Sequence, residues 1–397
     1  MQFAKSTEKL RASEIRQLMK LANDPSIISF SGGMPNNDLF PVEVMDKIAG
    51  GLSAASKKTA FQYGATDGLP ALKESLAKYL ESRGLPLEGN KILITTGAQQ
   101  AINLITKVLV DPQDRILVED PTFIGGIAAF NSYEANVCGI KTDSDGIDIE
   151  NLEKHIRTGD KAKFLYVIPY FQNPSGVIYS PQRKLELLDL INKYDLPLLE
   201  DDPYGELWFD EEYKDHITPM KAIDKDSKRI MYVGSFAKIL GPGFRLGYML
   251  APADLIDKCE LAKQSQDACS STYTQVLADA YLRSGELPAY LASLRPHYKR
   301  RAQIMLNALE KYMPDCVSWT TPHGGFFVWA TLPEKIDSSD VFKIAVKNGA
   351  AFVVGRAFDP KGKKNNCMRF AFSGAPEDKI EAGIKIIAEA VKQVVLK

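Results

Sequence analysis

The feature that most constrains the fold is an alternation of helical and extended patterns from about residue 69 to residue 250. In LPALKESLAKYLESRG, Leu72, Leu76 and Leu80 recur at helical spacing on one face, and Gly84 marks the end of the helix. Short apolar runs lie between such segments. Strands that alternate with helices are joined by crossover connections, so the sequence predicts a mostly parallel sheet with helices on both faces.

Seven runs in this region are typical of strands: KILITTG, RILVED, NVCGIKTD, KFLYVIP, LPLLEDD, RIMYVGS and LGYML. The pattern changes beyond about residue 285, where a long helical stretch containing Pro296 leads into four further strand candidates with flanking helices. The sequence therefore predicts an α/β fold whose large domain, 46–285, contains a seven-stranded sheet. Residues 1–45 and 286–397 are expected to form a smaller α+β domain.

Composition and charge argue against several classes of protein. The formal net charge is −1, which gives no support for a nucleic-acid partner or an anionic membrane. No apolar run approaches the ~20 residues of a membrane-spanning helix, and the charged N-terminal segment does not resemble a signal peptide. The five cysteines are scattered without a C-x-x-C pair, and the four histidines are dispersed. We therefore expect no metal site and a cytoplasmic location.

In α/β sheets, ligands bind outside the carboxyl ends of the strands, so the residues after each strand candidate are the first to consider. Gly97, Ala98 and Gln99 follow ILITT as a glycine turn that opens a helix, where free N–H groups suit a phosphate. A glycine in such a turn is also common for structural reasons alone. Asn173, in YFQNPSG, is either a turn residue or an amide donor directed into the crevice.

Two further strand ends carry charged residues. EDDPYGEL follows LPLL, and its proline-stiffened turn lets Asp201 and Tyr204 converge on one ligand. SFAKILGPGFRLG follows RIMYVG and places Ser235, Lys238 and Arg245 among apolar and glycine residues. These groups match the requirements of pyridoxal 5′-phosphate. The cofactor needs an amine for its aldehyde, a carboxylate for its pyridinium nitrogen, and a helix end with a cation for its phosphate.

The order of these motifs resembles that of the fold-type-I, pyridoxal-phosphate-dependent aminotransferases of classes I and II. The resemblance rests on YGATDGLPALK, TTGAQQA, EDPTF, QNPSG, EDDPYGEL, SFAKILGPGFRLG and MRFAFS, from about residue 30 to 373. SGGMPNNDLFP is similar to the branch with 2-aminoadipate and kynurenine aminotransferases and the aminotransferase-like domains of MocR-type regulators. The resemblance implies transfer of an amino group from 2-aminoadipate, an aromatic or a similar L-amino acid to a 2-oxo acid such as 2-oxoglutarate.

The resemblance also implies a role for each residue around the cofactor ring. Lys238 would bond to the cofactor's aldehyde and later move the α-proton of the substrate. Asp201 would pair with the ring nitrogen, and Tyr204 and Asn173 would hydrogen-bond the ring oxygen. Phe123 would stack on the ring, a position in which it can equally be part of the core.

For the cofactor phosphate, the resemblance implies contacts with Gly97, Ala98, Gln99, Ser235 and Arg245. Tyr63 would reach the phosphate of the other subunit, which implies a homodimer. Members of the family often have serine where this chain has Ala98, and threonine where it has Ser175. These differences alter hydroxyl contacts but leave the lysine, the acid and the arginines in place.

On the substrate side, the resemblance implies that Arg369 binds the α-carboxylate through a bidentate fork that lysine cannot provide. The alternative is a surface arginine, although MRFAFS is otherwise apolar. Asn173, Gly32 and Gly33 would lie beside the substrate, where the glycines allow the backbone to approach closely. Ser13 and Arg16 in ASEIRQL would face a distal carboxylate, or else lie on a solvated amphipathic helix.

Three other functions are each compatible with part of the sequence. A nicotinamide dehydrogenase would need G-x-G-x-x-G at the start of a helix, whereas Gly241, Gly243 and Gly247 are spaced differently and precede a strand. A carbon–sulfur β-lyase would share the cofactor site and differ only in its products. A non-catalytic, MocR-like ligand-sensing module would carry a DNA-binding domain ahead of this fold, and the residues before SGGMP are too few for a winged helix. We therefore expect an aminotransferase.

Overall fold

The computed structural model describes Asp24 and residues 26–395. Within these residues the α-helices are α1 (Val42–Gly51), α2 (Ala54–Phe61), α3 (Pro70–Ser82), α4 (Ala98–Leu109), α5 (Ile124–Ser132), α6 (Ile149–Thr158), α7 (Pro181–Lys193), α8 (Met220–Ile223), α9 (Ala253–Gln264), α10 (Thr272–Ser284), α11 (Leu287–Tyr312), α12 (Ser338–Lys347) and α13 (Ile380–Val395). The strands are β1 (Ile28–Ser29), β2 (Asn90–Thr95), β3 (Arg115–Asp120), β4 (Asn136–Asp143), β5 (Gly146–Ile147), β6 (Ala162–Val167), β7 (Leu198–Asp202), β8 (Ile230–Ser235), β9 (Gly247–Pro252), β10 (Ser318–Trp319), β11 (Phe327–Thr331), β12 (Ala350–Ala351), β13 (Val353–Val354) and β14 (Cys367–Ala371).

The large sheet has the strand order β2-β9-β8-β7-β6-β3-β4-β5. Strands β8, β7, β6, β3 and β4 run parallel to their neighbours in this series, whereas β9 is antiparallel to both β2 and β8. Every residue of β7 and of β8 is buried, as expected for a sheet covered on both faces.

The seven longer strands of this sheet coincide with the seven predicted runs, and the structure adds β5 as an eighth. Strand β5 has two residues and returns antiparallel to the end of β4, with Asp143 opposite Gly146. Gly146 lies at φ +121°, which favours glycine at this tight reversal. A strand of this length has no alternation for a sequence pattern to reveal.

Local sequence accounts for the helices that flank the sheet. Leu72, Leu76 and Leu80 are fully buried along one side of α3, as the helical spacing predicts. Helix α7 begins with Pro181, and the Ser180 hydroxyl accepts a hydrogen bond of 3.1 Å from a backbone N–H of the first turn. The backbone N–H groups of the first helical turn have no partner inside the helix. Proline at the first position lacks such an N–H, and serine at the cap accepts a hydrogen bond from another.

A second, antiparallel sheet has the order β10-β11-β14-β13 and lies beside helices α11, α12 and α13. Helix α11 continues through Pro296 and spans 26 residues, so this proline does not end it. Strand β1 pairs in parallel with β12, with Ile28 opposite Ala350. The chain before α1 is therefore hydrogen-bonded to the C-terminal part of the fold.

The topology brings the ends of several strands to one edge. Because β2, β3, β6, β7 and β8 run in the same direction, their carboxyl ends share that edge of the large sheet. The second sheet lies against this edge, where the Thr320 hydroxyl donates to the Ser175 carbonyl at 2.7 Å and the Thr122 N–H donates to the Phe358 carbonyl at 2.9 Å. The crevice between the two sheets is where this topology favours ligand binding.

Two kinds of feature are absent from the described part of the chain. None of its helices combines the length and the apolar character needed to cross a bilayer. No group of three or more histidine, cysteine, aspartate or glutamate side chains among these residues is arranged to hold a metal ion.

Candidate active site

A cavity of about 250 Å³ lies in this crevice. Its lining comes from strand ends, helix openings and the SGGM segment, namely Gly32, Gly33, Met34, Gly97, Ala98, Gln99, Phe123, Ile168, Asn173, Asp201, Pro203, Tyr204, Ser235, Ala237, Lys238, Arg245 and Arg369. The set includes every residue predicted to bind the cofactor except Tyr63. The structure therefore brings together side chains that the sequence places on separate strand ends.

Lys238 lies on the turn that follows β8. Its Nζ donates a hydrogen bond of 2.8 Å to the Gly33 carbonyl and lies 5.8 Å from the ring centroids of Tyr204 and Phe326. Burial lowers the pKa of Lys238 to about 8, and the positive charges of Arg369 and Arg245 add to the effect. A neutral amine is therefore accessible near neutral pH, which is the form that attacks a carbonyl.

Asp201 lies near the end of β7 and is 2% exposed. Its Oδ2 accepts a hydrogen bond of 2.7 Å from the Tyr166 hydroxyl, whereas Oδ1 is buried and has no hydrogen-bond partner among the described residues. Burial raises the pKa of Asp201 to about 7, the Tyr166 hydrogen bond opposes the rise, and the nearby Asp202 adds to it. A cationic group in the cavity would stabilise the ionised form of this carboxylate.

Asn173 and Tyr204 follow β6 and β7 and are both nearly fully buried. The Oδ1 atom of Asn173 accepts a hydrogen bond of 3.0 Å from Arg369, so the NH₂ end of this amide is left to donate elsewhere. The Tyr204 ring packs edge-on against Phe326 and Phe327, with centroids 5.5 and 5.6 Å away. Burial raises the pKa of Tyr204, so its hydroxyl stays protonated as a donor.

An anion cradle forms where α4 begins. Gly97 precedes the helix at φ +82°, and a Cβ atom there would lie 3.1 Å from an Nη atom of Arg245. A Cβ on Gly247 would lie 2.7 Å from the Ala98 backbone nitrogen. Glycines thus permit a close approach of backbone and guanidinium around the free N–H groups of the helix end, an arrangement that suits a phosphate.

Arg245 lies beside this cradle, and its backbone has an uncommon conformation. It is a non-glycine residue at φ +50°, in the left-handed region, directly after the 3₁₀ turn Pro242–Phe244. Among the described residues its guanidinium makes only long hydrogen bonds, of 3.4 and 3.5 Å, to the carbonyls of Pro242 and Thr96. The donors of this side chain are therefore weakly satisfied by the protein, which leaves them available to an anion.

Arg369 is 2% exposed and lies between two aromatic rings, 4.6 Å from the Phe327 centroid and 4.9 Å from that of Phe358. Its guanidinium donates to Asn173 and to the Ser31 carbonyl, while Nε has no partner within the described residues. Burial lowers the pKa of Arg369 to about 10. A buried cation with no ion pair to the described residues is costly unless an anionic ligand joins it.

The SGGM segment closes another side of the cavity. A Cβ atom on Gly33 would lie 2.6 Å from the Phe327 ring, so this position requires a residue without a side chain. The carbonyl of Met34 accepts a hydrogen bond of 2.7 Å from the Ser373 hydroxyl, which fixes the segment to the loop after β14. The Met34 side chain is 41% exposed and contributes an apolar contact to the cavity lining.

Three residues predicted from the resemblance are not among the described residues that line this cavity. Ser13 and Arg16 fall outside the residues that the structure describes. Tyr63 follows α2, is 85% exposed and does not line the cavity. Its predicted contact is with another subunit, so it stays a prediction.

Four lining residues were not predicted from the sequence: Met34, Ile168, Pro203 and Ala237. Each is apolar and adjacent or close in sequence to a residue that was predicted. Chemistry-bearing side chains at strand ends could be recognised by their type, but an apolar residue beside them has no such signal. Tyr166, which contacts Asp201 from inside β6, was also missed because a strand tyrosine is ordinarily part of the core.

Three independent features of the cavity fit pyridoxal 5′-phosphate. The amine of Lys238 is readily neutralised, the Oδ1 atom of Asp201 is buried without a partner among the described residues, and glycines open a cradle at the start of α4 beside Arg245. These features suit an aldehyde, a pyridinium nitrogen and a phosphate respectively.

Comparisons with known proteins agree with this chemistry. The family model for aminotransferase class I and II matches residues 26–387. Aromatic-amino-acid aminotransferase 1 of Thermococcus litoralis is 41% identical over 400 residues, covering 100% of this chain and 95% of that protein. The 2-aminoadipate transaminase of Thermus thermophilus is 33% identical, covering 98% and 96%. The crystal structure of Pyrococcus horikoshii kynurenine aminotransferase has a TM-score of 0.95 and 42% identity, covering 100% and 98%.

The match extends over most of the chain and includes both sheets. It confirms the fold-type-I α/β fold, the pyridoxal 5′-phosphate cofactor and the enzyme class that the sequence predicted. It also identifies transamination, rather than a dehydrogenase reaction, as the activity. The chain belongs to the class I and II aminotransferases and is a pyridoxal-phosphate-dependent transaminase.

Proposed function

We propose that this transaminase accepts a broad set of L-amino acids, with 2-aminoadipate or aromatic amino acids among its donors and 2-oxoglutarate as acceptor. The observation that carries the proposal is the buried Arg369, which has no ion-pair partner among the described residues and shares a cavity with Lys238. Relatives named for aromatic, 2-aminoadipate and kynurenine substrates support the donor set.

Lys238 is the residue to which we assign covalent attachment and proton transfer. When bound, the cofactor supplies an aldehyde and an electron-accepting ring. Lys238 would hold that aldehyde through Nζ, and its amine would be free once an amino-acid substrate is bound. The free Nζ, with its pKa lowered to about 8, accepts the α-proton of the substrate and returns a proton during the conversion.

Other residues orient the ring and the phosphate. Asp201 would pair through Oδ1 with the ring nitrogen, and Tyr204 and Asn173 would donate to the ring oxygen, since both retain donors. Phe123, at the start of α5, would stack on the ring. The phosphate would be held by residues of the cradle: Gly97, Ala98, Gln99, Ser235 and Arg245.

Arg369 is assigned to the α-carboxylate of the substrate. Stacking between Phe327 and Phe358 fixes the guanidinium plane, and the hydrogen bond to Asn173 fixes its rotation. A planar donor fork held in this way matches the two oxygens of a carboxylate. Asn173 and Gly33 complete this side of the site, and Ser13 and Arg16 are proposed to contact the distal part of the substrate.

We also propose a cytoplasmic homodimer in which Tyr63 of each subunit reaches the partner's phosphate site. Phe61 and Tyr63 are 83% and 85% exposed, and Phe61 stacks on the half-exposed Tyr273. Large exposed aromatic residues in one region are typical of an interface. The proposed division into a large domain, 46–285, and a smaller one, 1–45 with 286–397, is supported by the pairing of β1 with β12.

The dimer proposal can be tested by mixing two inactive variants. In a mixed dimer of Tyr63→Ala and Lys238→Ala subunits, one site has Lys238 from its own chain and Tyr63 from the other. Activity at limiting cofactor should therefore rise above that of either variant alone. No rise after unfolding and refolding the mixture together would contradict a site shared between subunits.

The substrate proposal is tested with a panel of amino acids and 2-oxoglutarate. Each donor is mixed with the holoenzyme, the change in cofactor absorbance is followed, and the 2-oxo acid product is identified. We expect glutamate and a donor of the aromatic or 2-aminoadipate kind to be converted. Release of ammonia and pyruvate without an acceptor would instead indicate a lyase.

A further inference from the structure

Tyr166 lies in the middle of the large sheet and contacts a residue of the proposed cofactor site. It belongs to β6 and is fully buried, and its hydroxyl donates a hydrogen bond of 2.7 Å to the Oδ2 atom of Asp201 on the neighbouring strand β7. Tyr166 does not line the cavity itself. It therefore acts on the site only through Asp201.

The ring of Tyr166 is held by close packing. It meets the Phe130 ring edge-on, with centroids 5.4 Å apart and planes at 74°. Gly126 in α5 has no side chain, and a Cβ there would lie 3.1 Å from Cε1 of the tyrosine ring. The absence of a Cβ leaves room for the ring, and the neighbouring aromatic keeps it from swinging away.

This contact leaves the two oxygens of Asp201 in different states. Oδ2 is occupied by the phenol, and Oδ1 is buried without a partner among the residues that the structure describes. A carboxylate free to rotate could offer either oxygen, whereas one held by a hydrogen bond of this kind presents a single defined oxygen. The hydrogen bond also favours the ionised carboxylate over its neutral form.

The charges around Asp201 make that second effect important. Burial raises the pKa of Asp201 to about 7, Asp202 adds to the rise, and Tyr166 is the group that lowers it. Glu119 on β3 is a further buried acid close enough to interact with Asp201. Without the phenol, the environment favours a neutral carboxyl, which binds a protonated ring nitrogen less well.

We propose that Tyr166 is a positioning residue, which holds Asp201 by Oδ2 so that Oδ1 is presented, ionised, to the ring nitrogen of the cofactor. The inference rests on the proposed pairing of Asp201 with that nitrogen. It assigns a role in cofactor binding to a core tyrosine that does not itself line the cavity.

The test uses Tyr166→Phe in the full-length protein, since phenylalanine keeps the ring and removes only the hydroxyl. The measured quantity is the dissociation constant of pyridoxal 5′-phosphate, and separately that of its 1-deaza analogue, in which carbon replaces the ring nitrogen. We expect about tenfold weaker binding of pyridoxal 5′-phosphate, the scale of one hydrogen bond to a charged group. Binding of the analogue should be unchanged, because it has no ring nitrogen for Asp201 to meet.

Tyr170→Phe is the matched control. Tyr170 is also a buried tyrosine, and its hydroxyl donates to a buried carboxylate oxygen, that of Glu200, outside the cavity lining. This variant loses the same kind of hydrogen bond and should bind both compounds as the unmodified protein does. Equal losses for the two compounds in Tyr166→Phe, or no loss for either, would overturn the positioning role.

A further variant separates this inference from the function on which it rests. Asp201→Asn should lose affinity for pyridoxal 5′-phosphate and retain it for the deaza analogue. If Asp201→Asn shows this selectivity and Tyr166→Phe does not, the role of Tyr166 is wrong and the pairing of Asp201 stands. If Asp201→Asn shows no selectivity, the proposed pairing fails, and the inference fails with it.

Discussion

The three consecutive acidic residues of β7 have very different surroundings. The carboxylate of Glu200 accepts hydrogen bonds from the Tyr170 hydroxyl and from two backbone N–H groups at the start of α8, at 2.7 and 3.1 Å. Asp202 accepts from Arg83 at 2.8 Å, from the Tyr232 hydroxyl at 2.6 Å and from the Gly205 N–H at 2.8 Å. Both side chains are thus satisfied by the protein itself.

Asp201, between them, has only one of its oxygens hydrogen-bonded by the residues that the structure describes. Two cavity cations are alike in this respect: within the described part of the chain, Lys238 has one hydrogen bond, to a carbonyl, and the Nε atom of Arg369 has no partner. Buried polar groups are ordinarily hydrogen-bonded, so a cluster of incompletely satisfied ones indicates capacity kept for a ligand. The flanking acids Glu200 and Asp202 therefore stabilise the fold. The incompletely satisfied groups of the cavity are available to a ligand.

The largest effect should come from removing the cavity amine. Lys238→Ala eliminates both the group that bonds to the cofactor's aldehyde and the proposed proton acceptor, so turnover should fall by about 10⁴-fold or more. The absorbance band of the lysine-bound cofactor should also disappear, while thermal stability stays close to that of the unmodified protein. A variant that keeps this band would show that another amine is the attachment site.

The next largest effect should come from Arg83→Ala, and it should be on stability and not on the chemistry. The Arg83 side chain is 10% exposed and pairs with the buried Asp202 at 2.8 Å and with the half-buried Glu206 at 3.2 Å, so Arg83→Ala removes the cation beside the Asp202 carboxylate. Breaking a buried ion pair in this way costs about 3–5 kcal/mol of unfolding free energy. Urea unfolding measures the loss.

The control for Arg83 is Lys78→Ala, which removes an exposed ion pair with Glu74 on the same helix. Solvent-exposed pairs contribute little, so its unfolding curve should not change measurably. Unfolding of Arg83→Ala at the same urea concentration as this control would show that the cluster around Asp202 is not structural.

The sequence predicts much of this separation between structural and cavity charges, because the cavity residues lie at the ends of strands. Parallel strands bring their carboxyl ends to one edge, so the order of motifs alone predicts that Asp201, Asn173 and Lys238 lie near one another. The predicted carboxyl ends of β7 and β8 coincide with the observed ones, and that of β6 differs by two residues, because apolar runs end in polar or glycine residues near these points. The hydrophobic pattern and the residue types were sufficient to predict that these three residues lie near one another.

The partners of neighbouring acids could not be predicted in the same way. Asp202 and Arg83 are separated by 119 positions, and nothing in either local sequence specifies that they meet. The hydroxyl of Tyr166 reaches Asp201 only because β6 and β7 are adjacent in register. Strand order and side-chain direction decide such contacts, and the alternation of helices and strands leaves both undetermined.

Arg369 provides a third test of the comparison between structural and cavity charges. Its unsatisfied donors should affect substrate binding and not folding. Arg369→Ala should raise the Michaelis constant for amino and 2-oxo acids, giving about 100-fold lower kcat/KM, as expected for loss of two charge-assisted hydrogen bonds. Cofactor absorbance and unfolding free energy should change little.

Arg369→Lys keeps the positive charge and loses the planar fork, so its activity should lie between that of Ala and the unmodified enzyme. Half-reaction kinetics with glutamate measure the effect in both variants. Unchanged half-reactions in Arg369→Ala would place the carboxylate site elsewhere in the cavity.

The smallest predicted effect is a pH dependence that distinguishes Lys238 from a surface lysine. Burial and the charges of Arg369 and Arg245 lower the pKa of Lys238 to about 8, so its amine is mostly protonated at pH 7 and mostly neutral at pH 9. Because only the neutral amine attacks an aldehyde, the rate of pyridoxal 5′-phosphate attachment to cofactor-free protein should rise about tenfold over this interval and then level off. An ordinary lysine, with a pKa near 10.4, would give a rate that still increases above pH 9. Stopped-flow absorbance separates the two profiles, and a continued increase would mean that the cavity does not depress the basicity of this amine.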